Sequence, residues 1–151
     1  SYTLIFLFTC LHETGAHWTY AKVPYDAWSQ SLFGITLNYE FGFTRNHFDR
    51  LVHFSYGLLL AYPIREIFLR VANVRGFWGY FLPLDFTAST SMAYELLEWA
   101  TALVVGSDAS NDFLGSQGDP WDAQKDMALA SLGALIAMTA IPLITRHNNR
   151  D

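Results

Sequence analysis

Residues 113–145 have the sequence FLGSQGDPWDAQKDMALASLGALIAMTAIPLIT, and this stretch decides the fold. Its first part holds three aspartates, two glutamines and a lysine, whereas the part after Met127 is almost purely apolar. A helix that crosses a membrane needs about 20 predominantly apolar residues. Pro120 suits the first turn of a helix, where a missing N–H costs little. The stretch therefore predicts a transmembrane helix that begins in a group of acids.

Three more segments are apolar, namely residues 2–16, 49–70 and 77–105. The last two reach spanning length, and the first does so if the chain begins inside a helix. We therefore predict an all-α, polytopic membrane bundle with about four transmembrane helices, forming a single integral membrane domain over residues 1–151. We also expect the N-terminus to be truncated within a helix. Small residues recur at 129–137 and predict a close helix–helix approach.

The connection over residues 15–47 is rich in aromatic residues and poor in glycine and serine, so it is no flexible linker. We predict an ordered cap at the membrane interface between helices 1 and 2, with short helices of its own. Positively charged residues in short loops mark the cytoplasmic side. They favour the ends of the spans that carry Arg70, Arg75, Arg146 and Arg150. The cap and the acidic connection at residues 106–121 should then face outward.

The composition supports a membrane protein, because only 15% of the residues are charged and 52% are hydrophobic. A typical soluble domain has about 25% charged residues. An all-α soluble protein with very apolar helices is the alternative. The net charge of −5 argues against nucleic acid as a partner. We expect membrane lipids as partners, together with other subunits if the protein belongs to a larger complex.

Ionisable residues lie in three of the segments and at the same predicted depth. Asp49 and His53 are four residues apart, and Glu95 and Glu98 share a helix face with Ser91. Intramembrane charges are costly and normally face an interior cavity, where they pair with one another. The predicted site also includes polar residues at the start of the last span, namely Gln117, Asp119, Asp122, Gln124, Lys125 and Asp126. Three residues of the cap complete it, namely His17, Tyr20 and Arg45.

This set suits three kinds of chemistry. It can hold a divalent metal, with Asp49, His53, Glu95 and Asp122 as ligands, because hard cations prefer oxygen and histidine is the commonest nitrogen donor. It can perform acid–base catalysis with His53 as the base, oriented by Asp49 or a glutamate. It can also relay protons or bind a polar solute. A simpler explanation exists for Asp122 and Asp49, since acids stabilise helix N-termini without any further role.

The motifs RNHFDRLVHFSYGLLL, YELLEW and GSQGDPWDAQKDM resemble the YjdF-like family of bacterial inner-membrane proteins over nearly the whole chain. The same plan is more distantly similar to the VanZ-like proteins, which share an Asp-x-x-x-His at a helix start, a Glu-bearing later helix and an Asp-rich entry to the next. The VanZ-like resemblance implies glycopeptide resistance and action on lipid head groups. This chain departs from their pattern, having Gln124-Lys125-Asp126 where an Asn usually follows the final Asp.

Three hypotheses follow. The first is an enzyme acting on a phospholipid or polyprenyl-phosphate head group at the outer leaflet, in which catalysis rests on Asp49, His53, Glu95 and Glu98. In this hypothesis Arg45 contacts the phosphate. The second is a non-catalytic accessory or scaffold subunit of a larger membrane complex, in which His17 or His53 can ligate a pigment or haem. The third is a small transporter, which the absence of an internal repeat disfavours.

Overall fold

The computed structural model describes residues 1–105 and 117–148, and within these ranges the regular elements are all helices. This confirms the predicted all-α class. Residues 106–116 of the predicted acidic connection and Arg150 lie outside the described residues. The helices are α1 (Tyr2–His17), α2 (Tyr25–Phe33), α3 (Leu37–Phe41), α4 (Phe48–Arg70), α5 (Trp78–Val105) and α6 (Asp122–Asn148).

Helix α4 is the centre of the bundle. It packs against α1, α5 and α6, and its contact with α6 is the most extensive among the described helices. Helix α5 also contacts α6, so α4, α5 and α6 form a three-helix core with α1 added on the α4 side.

The α4–α6 contact brings the two backbones together. A Cβ atom on Gly57 would lie 1.9 Å from the carbonyl oxygen of Ala130, and one on Gly133 would lie 2.3 Å from that of Phe54. No side chain fits at either position. This confirms that the small residues at 129–137 mark a close approach, the kind of contact by which helices associate in lipid.

The faces of α4 and α6 that meet at Gly57 and Gly133 also carry polar residues, closer to the N-termini of the two helices. On α4, Asp49 and His53 precede Gly57 at intervals of four residues, and on α6 Asp122 and Asp126 precede Ala130 at the same interval. Residues four apart lie on one helix face. The helix faces that meet at the glycines therefore also bring these acids and the histidine together.

The connection between α1 and α4 is an ordered cap, as predicted, and it contains the short helices α2 and α3. The Tyr25 hydroxyl donates to Asn38 Oδ1 at 2.5 Å, and the Asn38 backbone N–H donates to Asp26 Oδ1 at 3.0 Å. Gly34 and Gly42 end the two short helices with φ values of +73° and +65°, which favour glycine. These contacts join α2 to α3, and the backbone N–H of His47, directly before α4, donates to the Tyr25 hydroxyl at 3.1 Å.

One segment among the described residues, Asp122–Leu143, is long and apolar enough to cross a membrane by length and composition. Helices α4 and α5 are 23 and 28 residues long, but charged, hydroxyl-bearing and amphipathic aromatic side chains lower their hydropathy. The prediction of four spans is therefore not confirmed by the apolar character of the helices alone.

Candidate functional site

A layer of ion pairs joins the start of α4 to the start of α6, and we call it the ion-pair layer. Arg45 donates to Asp122 Oδ1. Arg50 Nη2 lies 2.5 Å from Asp119 Oδ2 and 3.4 Å from Asp122 Oδ1, and Lys125 Nζ lies 2.6 Å from Asp119 Oδ2. Each carboxylate of the layer thus has at least one cationic partner.

Side-chain amides fix this layer to the cap. Gln117 accepts from the backbone N–H of Asn46 at 3.0 Å and donates to its carbonyl oxygen at 2.9 Å. Asn46 Nδ2 in turn donates to the carbonyl oxygen of Val23 at 2.8 Å. The predicted ligand-binding residue Gln117 is therefore engaged in holding the loop before α6 against the loop before α4.

Asp119 shows the electrostatic effect of the layer. The hydrogen bond from Lys125 holds the pKa of the Asp119 carboxyl well below its usual range. The backbone N–H of Trp121 and the Arg50 guanidinium lower this pKa further. Hydrogen bonds to a carboxylate stabilise its charged form. Asp119 is therefore ionised whenever the loop is folded at neutral pH.

One helical turn deeper lies a second group, Asp49, His53, Glu95 and Asp126, which we call the acid–histidine cluster. His53 Nε2 is 3.4 Å from Glu95 Oε1 on α5 and 3.6 Å from Asp49 Oδ1. Ligand atoms of Asp49, His53 and Asp126 all lie within 4.8 Å of one another. Three helices thus contribute to one buried constellation.

The cluster contains polar atoms that lack hydrogen-bond partners within the described part of the chain. Asp126 is 1% exposed, and its Oδ1 makes no hydrogen bond. The same is true of Ser91 Oγ and Glu95 Oε1, on residues that are 3% and 8% exposed. Buried polar atoms of this kind are uncommon and call for an explanation such as a bound ion or water.

A cavity of about 290 Å³ opens beside the cluster. Asp49, His53 and Ser91 provide polar groups of its wall. Most of the remaining wall is apolar or aromatic and comes from α1, the following turn, α4 and α5, through Phe8, His12, Tyr20, Val52, Tyr56, Thr90 and Tyr94. An apolar chamber with a few convergent polar groups is the usual form of a small-molecule site.

Tyr20 and His12 form the α1 side of this cavity. The Tyr20 hydroxyl lies 2.9 Å from His12 Nδ1. Burial, together with the charges of Asp49 and nearby glutamates, raises the pKa of Tyr20 to about 12. The phenol is therefore neutral at physiological pH.

The structure brings most of the predicted site residues together, but in two groups with different partners. Asp49, His53, Glu95 and Asp126 form the cluster, and Glu98 accepts a hydrogen bond from Tyr94 of the cavity wall. Arg45, Asp119, Asp122 and Lys125 form the ion-pair layer. Tyr20 lines the cavity.

Two predicted binding residues lie elsewhere. His17 is exposed at the end of α1, where its ring contacts Trp18 edge-on at 5.2 Å. Gln124 is exposed on α6, on a face away from Asp122 and Asp126. Among the described residues, neither contributes to the cavity wall.

The set suited to a metal also differs from the predicted one. Asp126 takes the place predicted for Asp122, because Asp122 is occupied by Arg45 and Arg50. Glu95, also predicted as a ligand, is not part of the group of three and instead lies 3.4 Å from His53 Nε2. Two carboxylates and an imidazole suit a divalent cation of the first transition row or Mg²⁺. Asp49 and His53 also face the cavity, so an ion held here would keep a side open to a ligand.

The sequence places Ser91 on the helix face of Glu95 and Glu98, but sequence reasoning assigned no binding or catalytic role to Ser91, His12 or Arg50. Ser91 is the easiest to recover, because it precedes Glu95 by one helical turn and shares its face. His12 lies one turn after Phe8 on α1, and this spacing is the only local signal that it faces inward. Arg50 lies next to Asp49, and nothing in the sequence shows that it reaches across to α6.

The comparisons with known proteins agree with the membrane character of the chain. It is 44% identical over 151 residues to the inner membrane protein YjdF of Escherichia coli (strain K12), and the match covers 99% of this chain. The chain spans 66% of the length of that relative. No solved structure matches. These matches do not show the VanZ-like resemblance, which stays a prediction. Residues 1–147 match the family described as "Predicted membrane protein (DUF2238)", and the chain therefore belongs to that family.

Proposed function

We propose that α1, α4, α5 and α6 are four spans of a bacterial inner-membrane protein. Helices α4, α5 and α6 have 23, 28 and 27 residues, which at 1.5 Å per residue exceed the roughly 30 Å of a hydrocarbon core. Large apolar side chains point away from the bundle on all four helices, for example Phe6, Ile67, Leu97 and Leu143. The YjdF relative carries "inner membrane protein" as its name.

In this topology the cap and the acid–histidine cluster face the outer, periplasmic side. The support is the distribution of arginines, since Arg70 and Arg75 flank the short connection between α4 and α5 at the opposite end. The cluster then lies near the depth of lipid phosphates in the outer leaflet.

We further propose that the acid–histidine cluster binds a divalent cation and that the protein is an enzyme acting on a phosphate-bearing lipid head group. The main support is that ligand atoms of Asp49, His53 and Asp126 all lie within 4.8 Å of one another, beside a cavity. The buried Asp126 Oδ1 without a hydrogen-bond partner supports it, because an ion would satisfy that atom. The aromatic wall of the cavity suits the glycerol and upper acyl part of a lipid.

The reaction class that fits is hydrolysis of a phosphoester bond. Water adds to phosphorus through its oxygen, the bond from phosphorus to the head-group oxygen breaks, and the departing alcohol takes up a proton. A divalent cation polarises the phosphate oxygens and lowers the pKa of bound water. We propose Glu95, whose Oε1 is 3.4 Å from His53 Nε2, as the group that accepts the proton from water.

Metal analysis of the purified protein tests this proposal directly. We expect wild-type protein, stripped and reloaded with Mn²⁺, to retain about one ion per chain, and Asp126→Asn and His53→Ala to lose most of it. Glu40→Gln is the matched control, since Glu40 is an exposed acid on α3. Release of head groups from phosphatidylglycerol vesicles should require the ion. It should be retained in wild-type protein and Glu40→Gln and lost in Asp126→Asn and His53→Ala. Wild-type protein that retains no ion and releases no head group would overturn the proposal.

The ion-pair layer favours a second candidate, the accessory subunit. Its carboxylates already have cationic partners and join α6 to the segment before α4, as expected for a structural network. Purification in mild detergent tests this alternative. A stoichiometric partner together with ion-free, inactive protein would favour the accessory role over the enzyme.

A further inference from the structure

The turn after α1 has an unusual backbone. Thr19 and Tyr20 both adopt positive φ values, +51° and +50°, although neither is glycine. Residues with side chains rarely adopt this conformation, and they cluster at sites where strain has a role. Here the turn folds the Tyr20 side chain back over the end of α1 and into the cavity wall.

Gly15 makes room for this arrangement. A Cβ atom at Gly15 would lie 2.4 Å from Cε1 of the Tyr20 ring, so the ring rests directly on the backbone of α1. The backbone N–H of Tyr20 also donates to the Gly15 carbonyl oxygen at 2.7 Å. The position of the Tyr20 hydroxyl is therefore fixed by the backbone and by ring packing.

The His12 ring is held between two aromatic rings. Phe8 stacks on one side at 5.8 Å between centroids, with an interplanar angle of 18°, and the Tyr20 ring lies at 5.9 Å. The hydrogen bond between the Tyr20 hydroxyl and His12 Nδ1 then fixes the rotation of the imidazole. His12 and His53 line the same cavity.

The pair between the Tyr20 hydroxyl and His12 Nδ1 can form with either atom as the donor. With the hydroxyl as the donor, Nδ1 supplies the lone pair and the proton of a neutral imidazole resides on Nε2. An Nε2–H group is a donor and has no lone pair for a metal ion. His12 and His53 then have different capacities, although they share one cavity.

We propose that His12 binds the phosphate group of the ligand by donating a hydrogen bond from Nε2, with Tyr20 as the positioning residue. This inference rests on the proposed function, because it assumes that a phosphate enters the cavity. The phosphate would then contact the cation on the Asp49 side and the Nε2–H donor of His12 on the α1 side.

The tautomer is tested first, because it does not depend on the ligand. In protein with 15N-labelled histidine, the His12 signals, assigned by comparison with His12→Ala, should show a protonated Nε2 and an unprotonated Nδ1. Tyr20→Phe, which keeps the ring on Gly15, should abolish this preference. Tyr62→Phe is the matched control, since Tyr62 is a half-buried tyrosine of α4 outside the cavity wall. Protonation at Nδ1 in the wild-type protein would overturn the inference.

Ligand binding is tested second, with Mn²⁺-loaded protein and two probes, inorganic phosphate and dihexanoylphosphatidylglycerol. We expect His12→Ala to weaken the binding of the preferred probe by about tenfold or more, as for loss of a hydrogen bond to a charged group. His12→Gln should restore most of the affinity, because its amide nitrogen can take the place of Nε2. Tyr20→Phe should have a smaller effect than His12→Ala. If the variants affect only inorganic phosphate in this way, the site binds free phosphate. If they affect the phosphatidylglycerol, the site binds a lipid head group.

The two proposals fail in distinguishable ways. Mn²⁺ uptake that is normal in His12→Ala and Tyr20→Phe, combined with wild-type phosphate affinity in His12→Ala, would overturn the role of His12 and leave the cation site intact. Absence of Mn²⁺ from wild-type protein would overturn the proposed function, whereas the tautomer measurement would still report on the Tyr20–His12 pair.

Discussion

The ion-pair layer and the acid–histidine cluster lie one helical turn apart, yet they differ in how their charges are satisfied. Asp122 and Asp126 belong to the same face of α6 and are both buried. Asp122 is paired with Arg45 and Arg50, whereas Asp126 Oδ1 has no hydrogen-bond partner in the described ranges 1–105 and 117–148. The comparison indicates that the layer stabilises the fold and that the cluster leaves room for a ligand.

The largest effect is expected from Asp122→Asn. This substitution leaves the Arg45 and Arg50 guanidinium groups, whose side chains are 11% and 18% exposed, without their shared carboxylate. Removing one partner of a buried ion pair costs about 3–5 kcal/mol. Denaturant unfolding of the protein in detergent micelles measures this loss. A loss below about 1 kcal/mol would show that the layer is not structural and would remove the contrast with the cluster.

Asp126→Asn is the matched substitution one turn away, and we expect the opposite sign. Removal of a buried carboxylate with an unsatisfied oxygen should raise the stability of the ion-free protein by about 1 kcal/mol, since ligand sites commonly cost stability. When the unfolding experiment is repeated with added Mn²⁺, the ion should stabilise the wild-type protein and not Asp126→Asn. If Asp126→Asn destabilises the ion-free protein as much as Asp122→Asn does, the two regions are alike.

A smaller effect is expected for the pH dependence of the layer. The pKa of Asp119 is lower in the folded protein than in the unfolded chain, so Asp119 contributes stability above its unfolded value of about 3.9. This contribution should be lost as the pH falls below that value toward the folded pKa. The Tm of Asp119→Asn should therefore fall less steeply than that of wild-type protein below about pH 4. Parallel acid-side slopes would contradict the pairing of Asp119 with Lys125 and Arg50.

The smallest effect is expected from Gln124→Ala, which sharpens the boundary of both regions. Gln124 is exposed on α6, so its substitution should change stability by less than about 0.5 kcal/mol. It should also leave Mn²⁺ uptake unchanged. Reduced uptake would place the polar face of α6 within the site and would restore the binding role predicted for Gln124 from the sequence.

Features that depend on local spacing could be predicted from the sequence. The four-residue interval between Asp49 and His53 places them on one face, and the apolar segments predict the long helices. The structure bears out these features and the ordered cap. The pairing of carboxylates and cations could not be predicted, because it depends on the rotation of α6 about its axis and on the reach of Arg50 from α4.

The roles of Asp122 and Asp126 illustrate this limit. Both are acids at the same helix start, and only the folded arrangement shows that the arginines reach one and not the other. His12 illustrates a different limit, since its orientation depends on the positive φ values of Thr19 and Tyr20. Residues other than glycine adopt this conformation too rarely for a sequence pattern to indicate it.

The contact between Gly57 and Gly133 has a consequence for ion selectivity. These glycines follow His53 by one turn and Asp126 by two, on the faces that carry the proposed ligands. Because the two backbones already touch there, the helices cannot move closer, and packing on either side resists their separation. A site with walls at a fixed spacing selects ions by radius. The proposed site should therefore discriminate between ions with metal–oxygen distances near 2.1 Å, such as Mg²⁺, and the larger Ca²⁺, near 2.4 Å.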